Sequence, residues 1–135
     1  MHWILCLDDK NGMSFNRRRQ SKDRILREHL LAFLDGRKLW MSPYSVAQFD
    51  TLPDDAEVDE DYLAHCGVSD FCFVETGSWT SYLAQADQIV VYRWNRVYPA
   101  DTRFPEEELQ RRTCISSMDF PGSSHDVITQ EVYIL

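Results

Sequence analysis

The sequence predicts an α/β fold: a single three-layer domain over residues 1–135 with a mainly parallel sheet of about five strands. Two observations predict it. Short apolar runs recur at Trp3–Leu7, Leu39–Met41, Phe71–Val74 and Ile89–Tyr92. Between them lie segments with helically spaced apolar residues, and strands that alternate with helices form parallel sheets covered on both faces. These four runs should therefore be neighbours in one sheet. A chain of 135 residues suffices for one core and not for two.

The elements follow in order. Trp3–Leu7 is continuously apolar, as a strand buried on both faces would be, and it stops at Asp8-Asp9. A polar loop, Lys10–Asn16, leads through Arg17-Arg18-Arg19 into a helix expected from Ser21 to Asp35-Gly36, where glycine suits the C-terminal turn. Leu26, Leu30, Phe33 and Leu34 give that helix one buried stripe, and Arg24, Arg27 and Glu28 face outward. Lys38–Met41 is the second strand. Ser42-Pro43 reads as an N-cap and first helical position for a short helix over Tyr44–Phe49.

Residues 50–61 form an acidic excursion that contains Pro53, and Asp59 is expected to cap a short helix ending at Cys66-Gly67. Phe71–Val74 is the third strand and ends at Glu75. Ser78 caps a helix over Trp79–Ala86, and Ile89–Tyr92 is the fourth strand. The Val97–Pro105 connection is loop, and Glu106–Arg112 is helical, with acids first and arginines last to match the helix dipole. Thr113–Ser117 is a fifth strand. The tail 123–135 supports two readings. Ser123 and Asp126 have capping-box spacing and Ile128, Val132 and Leu135 fit a helical stripe, whereas its Val, Ile, Thr and Tyr suit a strand. The helical reading is adopted.

Composition narrows the class. Hydrophobic residues make up 44% and aromatics 13%, which excludes general disorder. No apolar run approaches the roughly 20 residues of a membrane span, and the first residues lack a secretory signal pattern, so a cytoplasmic protein is expected. The four cysteines include no C-x-x-C pair. Buried thiols in a reducing compartment explain them better than a zinc site or a disulfide framework.

The net charge of −8 is unevenly distributed. Six of the fourteen basic residues fall between Arg17 and Arg27, and six acids fall between Asp54 and Asp61. The acidic total disfavours broad nucleic-acid binding but leaves a local basic patch. The acidic run is either a solvated loop or a partner for the basic helix.

Four stretches carry candidate chemistry. Asp8 and Asp9 end a buried strand, and with Glu75 they would offer the oxygen ligands that magnesium requires; the alternative is that they shape a turn. Asn16, Arg17, Arg18, Arg19 and Ser21 would place arginines beside a helix start, where phosphate or carboxylate can be held. No phosphate-loop or dinucleotide-binding glycine motif accompanies them. Trp94 and Arg96 follow the fourth strand, where an aromatic ring could stack on a flat ligand or close the core. Finally, Ser123-Ser124-His125-Asp126 cannot form a catalytic triad as consecutive residues, because serine and base must face each other from separate elements. His125 alone could serve as a general acid or base.

Ile4–Asp9, Gly12-Met13, Phe15-Asn16, Arg18–Ser21 and Phe120–His125 together resemble a family of small bacterial proteins of unknown function, sometimes labelled ribonuclease Z. That label implies a metallo-β-lactamase fold with an H-x-H-x-D-H metal motif. The chain's histidines, at positions 2, 29, 65 and 125, do not form the motif, so no catalytic residue is carried over.

Two functional classes result. One is a module that binds a small anionic or nucleotide-like ligand through the basic loop–helix segment. The other is a magnesium-dependent phosphoryl-transfer or phosphodiester-hydrolysing enzyme, with Asp8, Asp9 and His125 as catalytic candidates.

Overall fold

In strand β1 (His2–Leu7), Trp3, Leu5 and Leu7 point to one face while Ile4 points to the other, so each face needs its own cover. A computed structural model describes all residues from Met1 to Leu135 and shows how that is met. The further strands of the main sheet are β4 (Leu39–Met41), β5 (Glu57–Val58), β6 (Phe71–Phe73), β7 (Gln88–Arg93), β9 (Thr113–Phe120) and β10 (Ile128–Ile134). They form a seven-stranded sheet in the order β5-β4-β6-β1-β7-β10-β9. The first five strands in that order run parallel to one another, and β10 pairs antiparallel with both β7 and β9.

The four expected runs are thus adjacent and parallel. The sheet has two more strands than expected. β5, two residues from the acidic excursion, is stitched to the edge of β4. The other addition, β10, corrects the helical reading of the tail.

Helix α1 (Arg24–Leu34) covers one face with Leu26, Leu30 and Leu34, which pack on Ile4, Phe71, Phe73, Val90 and Tyr92. Its C-cap Asp35 is left-handed and Gly36 follows at φ 82°. The same face is extended by the end of the short helix α2 (Pro43–Val46), which Ser42 caps as expected. The opposite face is covered by α3 (Tyr62–His65), the 3₁₀ turn Thr80–Gln85 and α4 (Glu106–Gln110), through Tyr62, Leu63, Trp79 and Leu109. Asp59 turns the chain ahead of α3 by accepting from the Asp61 N–H rather than capping the helix. None of the acids of the 54–61 run pairs with the basic segment; Glu57 meets Lys38 and Asp59 meets His65.

A second, three-stranded sheet contains β2 (Gly12–Phe15), β3 (Arg18–Arg19) and β8 (Thr102–Arg103) in the order β3-β2-β8. The expected loop between β1 and α1 is therefore a β-hairpin, and Asn16 and Arg17 form its two-residue turn at φ 51° and 62°. The cysteine expectation is corrected as well. Cys66, at the end of α3, is bridged to Cys72 on β6, while Cys6 is a half-buried free thiol and Cys114 is exposed. No helix is long and apolar enough to cross a membrane.

Candidate functional site

Ligands of open α/β sheets bind beyond the carboxyl ends of the strands, where connections leave in opposite directions. Here that place is the end of β1. From β1 the chain passes β6 to reach β4, and from β6 it crosses β1 to reach β7. The residues just beyond these ends are Asp8, Glu75 and Trp94, and the β2–β3 hairpin lies over them.

Asp8 shapes the hairpin's base. Its Oδ1 accepts from the Lys10 and Gly12 N–H groups at 2.8 and 2.7 Å, and its Oδ2 accepts from Gln20 Nε2 at 3.0 Å and the Tyr98 N–H at 3.2 Å. Burial would raise this carboxyl's pKa, but those four donors outweigh it and hold the group below the usual carboxylate range. Gly12 must be glycine here, because a Cβ would lie 2.6 Å from Asp8 Oδ2 and 2.9 Å from the Ala100 Cβ.

Arg19 closes the crevice between β1 and β6. Its Nε and Nη2 donate to Glu75 Oε2 and Oε1 at 2.9 and 3.1 Å, a bidentate pair in which the Glu75 side chain is 6% exposed. Nη2 also donates to the Tyr44 carbonyl, and the guanidinium lies 4.2 Å from the Tyr44 ring centre. Gln48 donates to Glu75 from the other side at 2.9 Å. Between Cys6, Arg19, Ser21, Glu75 and Trp94 a cavity of only about 10 Å³ is left. The crevice is filled by the protein's own ion pair.

The His125 loop does reach the strand ends. The His125 ring stacks on Trp94 with centres 4.5 Å apart. Its Nδ1 lies 3.0 Å from Asp23 Oδ2, and its Nε2 lies 3.1 Å from Ser21 Oγ and 2.9 Å from the Tyr98 hydroxyl. Asp23 also accepts from the N–H groups of Ser123, Ser124 and Leu26 and from the Ser124 hydroxyl. Burial works to raise the Asp23 carboxyl, but the His125 ring and these N–H groups overcome it and hold the group far below the usual range.

The sequence reading missed Asp23. Its signal was an aspartate two residues before the first apolar position of α1, where it is the N-cap; the helix was expected to start at Ser21.

The other candidates are placed as follows. Arg96 lies over the Tyr98 ring at 5.4 Å. Trp94 is 3% exposed, so it closes the core and offers no free face to a ligand. Asn16 donates its backbone N–H to Asp101. Arg17 and Arg18 are exposed on the hairpin and belong to no ion pair. At the start of α1 the Arg24 N–H donates to the Ser123 hydroxyl and the Leu26 N–H to Asp23, so these first N–H groups are already taken.

The carboxylate cluster expected for magnesium is not assembled. Asp8 and Glu75 are committed to the bonds above, Asp9 is exposed, and no three His, Cys, Asp or Glu side chains gather as metal ligands.

Four concavities, of about 1000, 570, 360 and 330 Å³, are large enough for a ligand, and the two larger ones involve the hairpin and β7. One, about 570 Å³, is lined by Phe15, Asn16, Arg18, Arg19, Gln20, Tyr98 and Pro99 beside the hairpin. The other, about 1000 Å³, is an open trough over Arg93, Glu106, Glu131 and Tyr133. In the trough Arg93 and Glu131 pair at 2.9 Å while Lys10 and Arg103 have no acidic partner, and in the hairpin groove Arg18 has none.

No family model and no curated protein sequence matches the chain. A solved structure does: dihydrofolate reductase from Enterococcus faecalis complexed with NADP(H) and RAB-propyl. The alignment covers 98% of this chain and 94% of that one, with a TM-score of 0.60 and 11% identity. The chain shares the dihydrofolate reductase fold. This overturns the resemblance drawn from the residues: the fold is not the metallo-β-lactamase fold that the label ribonuclease Z implies.

Proposed function

We propose that the chain binds a small anionic, phosphate-containing or nucleotide-like ligand in the groove beside the β2–β3 hairpin, with Arg17 and Arg18 as the anion contacts. The observation that supports this is Arg18, which lines the groove and has no acidic partner in a chain of net charge −8. Arg17 adds a second unpaired cation in the adjoining turn, at φ 62°.

The groove's volume of about 570 Å³ lies in the usual range for small-molecule sites. Exposed Phe15 and half-buried Tyr98 line it and supply flat surfaces for a ring. The similar dihydrofolate reductase was solved with NADP(H), a ligand of this chemical class. Arg19 has a separate part, since its pairing with Glu75 holds the hairpin in place.

Calorimetric titration with ATP and with pyrophosphate at low ionic strength tests the reading. Binding in the parent should weaken at least tenfold in Arg17→Ala/Arg18→Ala. That corresponds to about 1.4 kcal/mol, a modest share for two charge-assisted contacts that stay partly in water. Equal binding by parent and variant would remove the arginines from the site.

A further inference from the structure

We infer that Ser21, His125 and Asp23 form a nucleophilic relay able to accept an acyl group from an activated carboxylic ester. The three residues come from two segments of the chain. Ser21 and Asp23 flank Lys22 between β3 and α1, and His125 comes from the β9–β10 connection, 104 positions after Ser21. Ser21 Oγ lies 3.1 Å from His125 Nε2, and His125 Nδ1 lies 3.0 Å from Asp23 Oδ2. Serine, base and orienting carboxylate are thus linked in the order that nucleophilic catalysis requires.

The parts are also in the right states. The Asp23 side chain is 0% exposed and takes the His125 ring together with N–H groups from Ser123, Ser124 and Leu26, a setting that favours the carboxylate. An ionised Asp23 fixes the proton on Nδ1 and leaves the Nε2 lone pair facing the hydroxyls. Trp94 stacks on the ring and limits its rotation. Ser21 is half-buried and is one of the residues lining the crevice at the strand ends. The hairpin's turn and the α1 cap would be satisfied without a hydroxyl on Ser21, so capping leaves the Ser21–His125 contact unexplained.

The reaction balances with water as the only co-reactant. His125 Nε2 takes the Ser21 proton as Oγ bonds to the carbonyl carbon. The bond from that carbon to the leaving oxygen breaks, and the leaving group carries off the proton from His125. Water then gives a proton to His125 and attacks the acyl carbon, and Ser21 leaves with that proton. Ser21 and His125 touch the reacting atoms, and Asp23 is a positioning residue.

One feature competes with Ser21: the Tyr98 hydroxyl shares Nε2 at 2.9 Å. Removing it should leave Nε2 to Ser21 alone.

The test is labelling of the intact chain with an uncharged fluorophosphonate, read by peptide mass spectrometry. Oγ–P forms as P–F breaks, so the adduct reports the nucleophile directly. Because the probe carries no charge, the result is independent of anion binding at the hairpin. The adduct is expected on Ser21, absent in Ser21→Ala, and formed at least tenfold more slowly in His125→Gln. In Tyr98→Phe the rate should hold or rise. If His125→Gln does not fold, the parent and Ser21→Ala still decide the matter. Absence of an adduct on Ser21, or an undiminished rate in folded His125→Gln, overturns the relay. An adduct on Tyr98 in place of Ser21 would assign the reactive hydroxyl to Tyr98 and overturn it equally.

Discussion

Asp23 joins three parts of the molecule through one carboxylate: the first turn of α1, the 123–125 loop and the His125 ring. Its side chain is fully buried, so it needs all of these donors. Asp23→Asn should therefore lower stability at pH 7 by about 2–3 kcal/mol. The pH dependence has a definite sign. The folded-state value is depressed below the unfolded value of about 3.9, so the carboxylate's contribution is complete above that value and is lost as pH falls below it. In urea unfolding from pH 7 to pH 3, the gap between parent and Asp23→Asn should be constant down to about pH 5 and shrink below about pH 4. A second residue-scale case is Arg19. Removing it leaves Glu75, 6% exposed at its side chain, without its cation. Arg19→Ala should cost about 2 kcal/mol, and a double-mutant cycle with Glu75→Gln should show most of that as coupling.

At the scale of elements, the four central parallel strands and β9 were legible, whereas β5, β10 and the β2–β3 hairpin were not. β1 and β7 are apolar on both faces, and that continuous pattern survives in the sequence. β10 buries Ile128, Gln130 and Val132 in alternation, but the middle position is polar. Gln130 is satisfied there by donating to the Tyr92 hydroxyl at 3.0 Å. With that position masked, Ile128 and Val132 are four apart and imitate a helical stripe. The β2–β3 hairpin was hidden because an arginine fills a turn position where glycine would have announced it. Arg17→Gly follows as a test. It should raise stability by about 0.5–1 kcal/mol in urea unfolding, since glycine tolerates φ 62°, and in the same protein weaken anion binding. A variant that is less stable would mean that Arg17 has a structural role.

For the whole molecule, the strand ends were legible and the partners that meet there were not. Strand ends are marked by abrupt changes from apolar to polar residues, at Leu7-Asp8, Val74-Glu75 and Tyr92-Arg93, and ligand crevices lie there by topology. The partners of each residue were not legible, because Arg19 meets Glu75 across 56 positions and Ser21 meets His125 across 104. Those contacts depend on the sheet order, which periodicity does not specify. At 11% identity the dihydrofolate reductase fold is retained through burial pattern rather than residue identity. The net charge of −8 works against anion binding over the surface as a whole, so the proposed binding at the hairpin depends on its local arginines.

Amide chemical-shift mapping during titration with ATP shows whether an anionic ligand occupies the groove between the hairpin and Tyr98, as proposed. Saturable shifts are expected in residues 15–20 and 96–100, lost in Arg17→Ala/Arg18→Ala while the remaining spectrum is retained. Shifts centred instead on the trough around Arg93, Glu131 and Tyr133, or none at millimolar ATP and low salt, would contradict it.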